Sequence, residues 1–252
     1  FKKADYRIKG RDKNADGTLK NDHTQAGMAI IDYKTGQVVA VGGELGADQS
    51  ATGWNRATQM VRQPGSAIKP IADIAPGLEE KVITISTVYD DVWTDFNGYK
   101  PRDEYGKETN RPLNIKEFIA LSKNIPAVKI MRELTPNTSI DYLRKMGISS
   151  LTKEGEDPEK DKQGLNDSVL SLAIGGITDG ISPLEMAAAY ATIANDGVYI
   201  EPTFYTKVTD SSGNVVLTPN QKTERVISEQ NAYITRLITE QPVTASNGTA
   251  TY

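Results

Sequence analysis

Two residues in the stretch RQPGSAIKP (62–70) have the types and the spacing for covalent catalysis: Ser66, a hydroxyl nucleophile, and Lys69, a base. Pro64 and Gly65 are turn formers that do not continue an upstream element, whereas Ala67 and Ile68 suit helix entry, so Ser66 is expected in a first helical turn. Positions i and i+3 share a helix face, which puts Lys69 beside the Ser66 hydroxyl. A partly desolvated lysine amine loses its proton near neutral pH and can take the hydroxyl proton. Free N–H groups at a helix start favour negative charge developing nearby. S-x-x-K alone occurs by chance in many helices. A second polar triplet, Ser122, Lys123 and Asn124, falls at an expected helix end, where serine and asparagine also serve as ordinary terminators.

The composition narrows what else the chain can do. With 252 residues it fits one domain, or a domain with a small appendage. Its net charge is −4 and its lysines and arginines are scattered without a basic run, which argues against a nucleic-acid surface. The absence of cysteine excludes disulfides, thiol nucleophiles and thiolate metal sites. The single histidine, His23, removes histidine metal clusters and any Ser-His-Asp triad that does not run through it. No cofactor or metal is expected, and lysine is the available base for serine chemistry. No apolar run approaches the length of a membrane span, and the opening FKKADYRIKG is not a signal peptide. That opening lacks an initiator methionine and the closing NGTATY ends no element, so both ends are expected to be cut.

The elements that must position these residues follow in order. Residues 1–24 form a polar, turn-rich arm. Within it Asp12, Asn14, Asp16 and Gly17 match half of a calcium loop, but His23 stands where the bidentate Glu belongs, so an Asp-Gly turn is expected. Residues 25–32 and 37–42 make a hairpin whose turn holds Lys34, Thr35 and Gly36. A helix from 68 should end at Pro76, and 82–111 is a long aromatic-rich excursion. Helices are expected at 114–122, with Asn114 and Glu117 as its capping box, from Pro126 to Leu134, and at 138–146 behind Thr138 and Asp141. The charged stretch 152–164 reads as a loop, and 182–195 as a helix capped by Ser182 and Glu185. A hairpin over 202–217 and a helix over 228–240 complete the chain.

The surroundings of the two polar motifs extend the pattern: RQPGSAIKP, the hairpin IIDYKTGQVVAVGG, NRAT, ALSKNIPAV, and SLAIGG followed by GISPLEMAAAYATIANDGVYIEP. In order and spacing, over about residues 25–252, they resemble the transpeptidase domain of class A penicillin-binding proteins. The resemblance implies an α/β (α+β) fold of the penicillin-binding-protein and β-lactamase type, an antiparallel sheet flanked by helices, with 1–24 as linker. It implies a bacterial cell-wall enzyme, a serine D,D-transpeptidase of peptidoglycan synthesis. Ser66 would attack the penultimate D-Ala carbonyl of a stem peptide, releasing the terminal D-Ala, and an amine of a neighbouring stem would take the acyl group. By matched position, Ser66 is nucleophile, Lys69 base, Ser122 proton relay and Asn124 substrate anchor. β-Lactam antibiotics, which imitate the D-Ala-D-Ala end, would acylate Ser66. The implied location is extracytoplasmic, at the outer face of the membrane, with anchoring through regions outside this chain.

One departure stands out. The family's third motif, K-T-G on a strand near the serine, has no counterpart after Ser66; the K-T-G at Lys34, Thr35 and Gly36 lies in the upstream hairpin. The closing strands are therefore expected to be missing, supplied by a second chain carrying that segment or lost by truncation. Two alternatives share Ser66 and Lys69: a serine β-lactamase, and a non-catalytic β-lactam sensor. A class A β-lactamase would need a water-activating glutamate in Glu-x-x-Leu-Asn, and here Lys162 stands ahead of Leu165 and Asn166.

Overall fold

A computed structural model of the protein describes residues 25–44, 53–103 and 107–251. The arm expected over 1–24, the Asp-Gly turn expected within it, and Tyr105 lie outside them. The first hairpin is as expected: β1 (Met28–Ile31) pairs antiparallel with β2 (Val38–Gly42). Lys34 and Thr35 are in its turn, and Gly36 follows at φ +72°, donating its N–H to Asp32 O at 2.8 Å.

The segment after Pro64 is helical but changes pitch twice. Gly65–Ile68 is a 3₁₀ turn, Pro70–Ile74 is a π turn, and α1 (Ala75–Glu79) is α-helical. Pro76 therefore does not end the helix as its sequence position suggests; it sits in the first turn of α1. There its missing N–H matters least, and the Ala72 carbonyl four residues back accepts instead from the buried Ser139 hydroxyl at 2.8 Å. Residues 68–77 are all buried, with Ile68, Ile71, Ala72, Ile74 and Ala75 fully so, and the core assembles round this helix. A helix buried on every side, with only Lys69 and Asp73 polar between its apolar residues, belongs in that position.

The excursion is closed at its base by β3 (Val88–Asp90) pairing antiparallel with β4 (Pro112–Asn114). β4 runs straight into α2 (Ile115–Ala120), where Asn114 and Glu117 form the expected capping box. α3 (Asn124–Leu134) begins two residues before Pro126, which occupies the first turn. α4 (Pro136–Lys145) is capped by Thr135 and not by Thr138 with Asp141, because the proline at its first position fixes the earlier start. In the charged stretch expected to be a loop, Asp157 caps a short helix, α5 (Pro158–Lys162). A 3₁₀ turn, Leu170–Ile174, leads to α6 (Pro183–Ala194), whose Ser182 and Glu185 make the second expected capping box. β5 (Val198–Ile200), β6 (Val208–Thr209), β7 (Val215–Leu217) and β8 (Thr223–Arg225) pair antiparallel as β5 with β8 and β6 with β7. α7 (Glu229–Thr239), capped by Ser228, and α8 (Gln241–Thr244) follow. Among the described residues the strands form four separate antiparallel pairs, and α6 packs on both β1 and β5.

Ser139 supports the proline-bearing helix through a single buried hydrogen bond. Ser139→Ala is expected to lower stability by about 1–3 kcal/mol, the usual cost of stranding a buried carbonyl, measured by denaturant unfolding. Unchanged stability would show that Ala72 O has another partner.

Candidate active site

The Ser122 triplet owes its shape to the way α2 ends. Ser122 N–H donates to Ile119 O at 3.1 Å and Lys123 N–H to Phe118 O at 2.9 Å, the paired bonds of a Schellman motif. The position between them requires a left-handed backbone and is usually glycine; here Ser122 takes it at φ +53°. A serine in that conformation costs about 1 kcal/mol or more, and in return it brings a hydroxyl to a tight reversal of the chain. Lys123 then caps α3, whose first residue is Asn124.

Lys69 fills the pocket that this reversal makes. Its Nζ donates to Ser122 O at 2.8 Å, Lys123 O at 2.9 Å and Asn124 Oδ1 at 2.8 Å, and lies 3.5 Å from Ser122 Oγ. Three acceptors match the three donors of an ammonium. The side chain is only 1% exposed, and burial lowers its pKa to about 8 against the pull of Asp73, Asp103 and Asp91. Ser66 lies in the 3₁₀ turn whose end is Lys69, where residues three apart eclipse. Ser66 is exposed, and its hydroxyl makes no hydrogen bond among the described residues. The expected contact from Lys69 to Ser66 is thus not formed; the amine is held by the Ser122 turn and faces the same cavity.

That cavity, about 250 Å³, is walled by Ser66, Lys69 and Ser122 with Tyr190, Pro242 and Thr249 among the others. Asn124 is not one of its walls. Its amide braces Lys69 on one side and donates Nδ2 to Arg102 O at 2.7 Å on the other, so its side chain serves the site from behind. The excursion supplies the rest of that support. Asp103 accepts the Asn124 N–H at 2.6 Å and pairs with Lys123 Nζ at 3.0 Å, and buried Asp91 stands 3.8 Å from the same ammonium. Tyr190 on α6 donates its hydroxyl to Ala67 O at 2.7 Å, holding the turn that carries the serine. Thr249 N–H reaches Ala120 O at 3.0 Å beside the Ser122 turn. Gly175, at φ +78°, lies so close behind Gly65 that a Cβ there would meet the Gly65 backbone at 2.4 Å. Asp91, Asp103, Tyr190 and Thr249 were not singled out by sequence. Tyr190 and Gly175 did lie in stretches that matched the resemblance, AAAYATIAND and SLAIGG.

Comparison with known proteins places the chain in a family. The family model described as penicillin binding protein transpeptidase domain matches residues 26–252. The chain belongs to that family. It is 32% identical over 243 residues to penicillin-binding protein 1F of Bacillus subtilis, spanning 95% of this chain and 30% of that protein. It is 33% identical over 239 residues to penicillin-binding protein 1A of Clostridium botulinum, spanning 89% of this chain and 27% of the relative. The chain therefore spans under a third of the length of these relatives. The fold is shared with penicillin-binding protein 1A of Haemophilus influenzae, with a TM-score of 0.73 and 23% identity over 94% of this chain and 39% of that one. The α/β (α+β) architecture is thus that of the penicillin-binding-protein transpeptidase domain.

In this transpeptidase domain the strained Ser122 makes a separable prediction. Ser122→Gly and Ser122→Ala both lose the hydroxyl, but only glycine relieves the backbone, so the glycine variant is expected to be more stable by about 1 kcal/mol. Thermal unfolding of the two variants side by side measures this. Equal stability would mean that the left-handed conformation carries no strain.

Proposed function

We propose that this chain carries the serine, lysine and serine-asparagine motifs of a D,D-transpeptidase that cross-links peptidoglycan stem peptides through an acyl-enzyme on Ser66. The observation that supports it best is the buried Lys69 amine, 3.5 Å from the Ser122 hydroxyl, with Ser66, Lys69 and Ser122 lining one cavity. Ser66 Oγ attacks the penultimate D-Ala carbonyl as its proton passes to the neutral Lys69 amine. The peptide C–N bond then breaks, and the proton moves through Ser122 Oγ to the departing D-Ala amine. An ammonium with three acceptors cannot accept a proton, so the reactive form is the amine left after one proton is lost; Ser122 Oγ, 3.5 Å away, can then turn its hydroxyl toward the lone pair. The acyl group is finally taken by an amine of a second stem. Asn124 acts by fixing Lys69 and the Ser122 turn, with any hold on substrate requiring its Nδ2 to exchange Arg102 O for a substrate carbonyl.

β-Lactams are the expected covalent ligands, since a strained cyclic amide presented to Ser66 is acylating but cannot leave as D-Ala does. The carboxylate-binding K-T-G groups of the family lie outside the Lys34 to Gly36 turn, which is engaged elsewhere: Gln221 Nε2 donates to Thr35 O at 3.0 Å. Among the described residues no carboxylate lines the cavity to activate the water that the hydrolytic alternative needs. Glu156 pairs with Arg144, Glu159 pairs with Lys162, and neither of them nor Glu154 lines it. No helix among the described residues is long and apolar enough to cross a membrane. The proposed place of work is the outer face of the bacterial cytoplasmic membrane, where stem peptides are cross-linked.

Intact-mass measurement after exposure of the full protein to a penicillin tests this. A gain of one drug mass that persists for hours and vanishes in Ser66→Ala is expected. Its rate should climb as pH rises toward about 8, because Lys69 must first lose a proton. No adduct in the full protein, or one that survives Ser66→Ala, would overturn the assignment.

A further inference from the structure

The turn that carries Ser66 runs into a proline, and the proline withholds a donor from it. Gly65–Ile68 is a 3₁₀ turn, and the N–H of Lys69 at its end donates to Ser66 O, three residues back. In that register the next carbonyl, Ala67 O, belongs to the N–H of residue 70. Residue 70 is Pro70, which has none to give, and from there the helix takes π pitch. Tyr190 on α6 meets that carbonyl from across the fold: its hydroxyl donates to Ala67 O at 2.7 Å. Tyr190 also lines the cavity that holds Ser66 and Lys69. Burial pushes its phenol up to about 12, so it keeps its proton while Lys69 titrates near 8.

We propose that Tyr190 is a positioning residue for the reaction at Ser66: its hydroxyl supplies the donor that Pro70 withholds from Ala67 O, and so fixes the direction in which Ser66 faces the cavity. The inference rests on the acyl-enzyme reading of this site. Upstream of the serine the chain is held by other contacts. Arg62 and Ile181 exchange backbone hydrogen bonds at 3.1 Å and 2.8 Å, Gln63 Nε2 donates to Ile177 O at 3.1 Å, and Gly175 packs on the Gly65 backbone. Between Ser66 and Lys69 stand two residues. Ile68 is anchored by full burial. Ala67 is exposed and has only a methyl group, so packing cannot set its orientation, and the Tyr190 bond does.

The Ser66 hydroxyl makes no hydrogen bond among the described residues, so its aim depends on the backbone beneath it. Misplacing a reacting atom by about 1 Å costs up to about 10²-fold, and a turn loosened at one carbonyl should lose part of that. The loss belongs to the step in which Ser66 attacks. Capture of the ligand and the pH at which Lys69 becomes a base should not change.

The test is acylation of the full protein by a fluorescent penicillin, at a temperature where every variant is folded, resolved into a limiting rate and a half-saturating concentration. Tyr190→Phe keeps the ring and removes the hydroxyl. It is expected to lower the limiting rate about tenfold, to change half-saturation by less than about twofold, and to leave the acid limb of the pH profile in place. Pro70→Ala returns an N–H to residue 70, so in that background loss of the hydroxyl should cost less than about threefold; the two single variants and the double variant close the cycle. The proposal is overturned by a Tyr190→Phe limiting rate within about twofold of wild type, by a loss confined to half-saturation, by a shifted acid limb, or by a loss as large with Pro70→Ala as without it. Absence of acylation in the wild-type protein would instead overturn the acyl-enzyme reading beneath it.

Discussion

The site depends on one cation held by three oxygens. Lys69 Nζ sits among Ser122 O, Lys123 O and Asn124 Oδ1 in a place where it is almost wholly withdrawn from water. Two opposed effects meet there. Desolvation makes the charged form expensive, whereas a full set of acceptors and nearby carboxylates makes it tolerable. The balance leaves a lysine that is charged at rest and close to releasing a proton, which is the state a general base for a serine hydroxyl needs. Neither effect alone would do it. An exposed lysine would stay protonated, and a buried one without acceptors would not be tolerated.

Much of the remaining structure can be understood as holding the two sides of this contact. On the lysine side, the helix changes from 3₁₀ to π to α within fifteen residues, and it survives Pro76 because Ser139 meets the carbonyl the proline leaves behind. On the acceptor side, a Schellman reversal forced onto serine turns two consecutive carbonyls toward the amine. The excursion between α1 and α2 then locks that reversal through Asp103 and Asp91. Gly175 and Tyr190 hold the serine turn from behind, one by being small enough to touch Gly65 and the other by a hydrogen bond to Ala67. Removing a partner from a largely buried ion pair such as Lys123 with Asp103 costs up to about 3–5 kcal/mol, so this scaffold is stiff where the chemistry needs it to be.

Some of this was legible in the sequence and some was not. Capping boxes at Asn114 and Ser182 were readable because all their parts lie within four residues. Ser66, Lys69 and the Ser122 triplet were readable because each motif is local and their order is characteristic. The left-handed backbone at Ser122 was not, since glycine is the usual signal for it and serine hides it. The role of 82–111 was missed for a different reason. Its many aromatic rings drew attention, but its contribution comes from two aspartates, Asp103 and Asp91, that reach Lys123, 20 and 32 positions further on. Pro76 misled because its effect depends on a hydroxyl from Ser139, which no local pattern reveals. Asn124 was read from the sequence as the substrate anchor; in the structure its amide meets Lys69 and the Arg102 carbonyl, contacts that no local pattern reveals.

The most direct measurement is the titration of Lys69 itself. Lysine labelled with carbon-13 at Cε, in the full protein, gives a resonance that can be assigned by its loss in Lys69→Arg and followed as pH is raised. The account predicts a midpoint near 8, well below that of the exposed lysines. A midpoint at about 10 or above, within the range of the exposed lysines, would contradict it, because Lys69 would then remain an ammonium under working conditions and could not take the proton from Ser66.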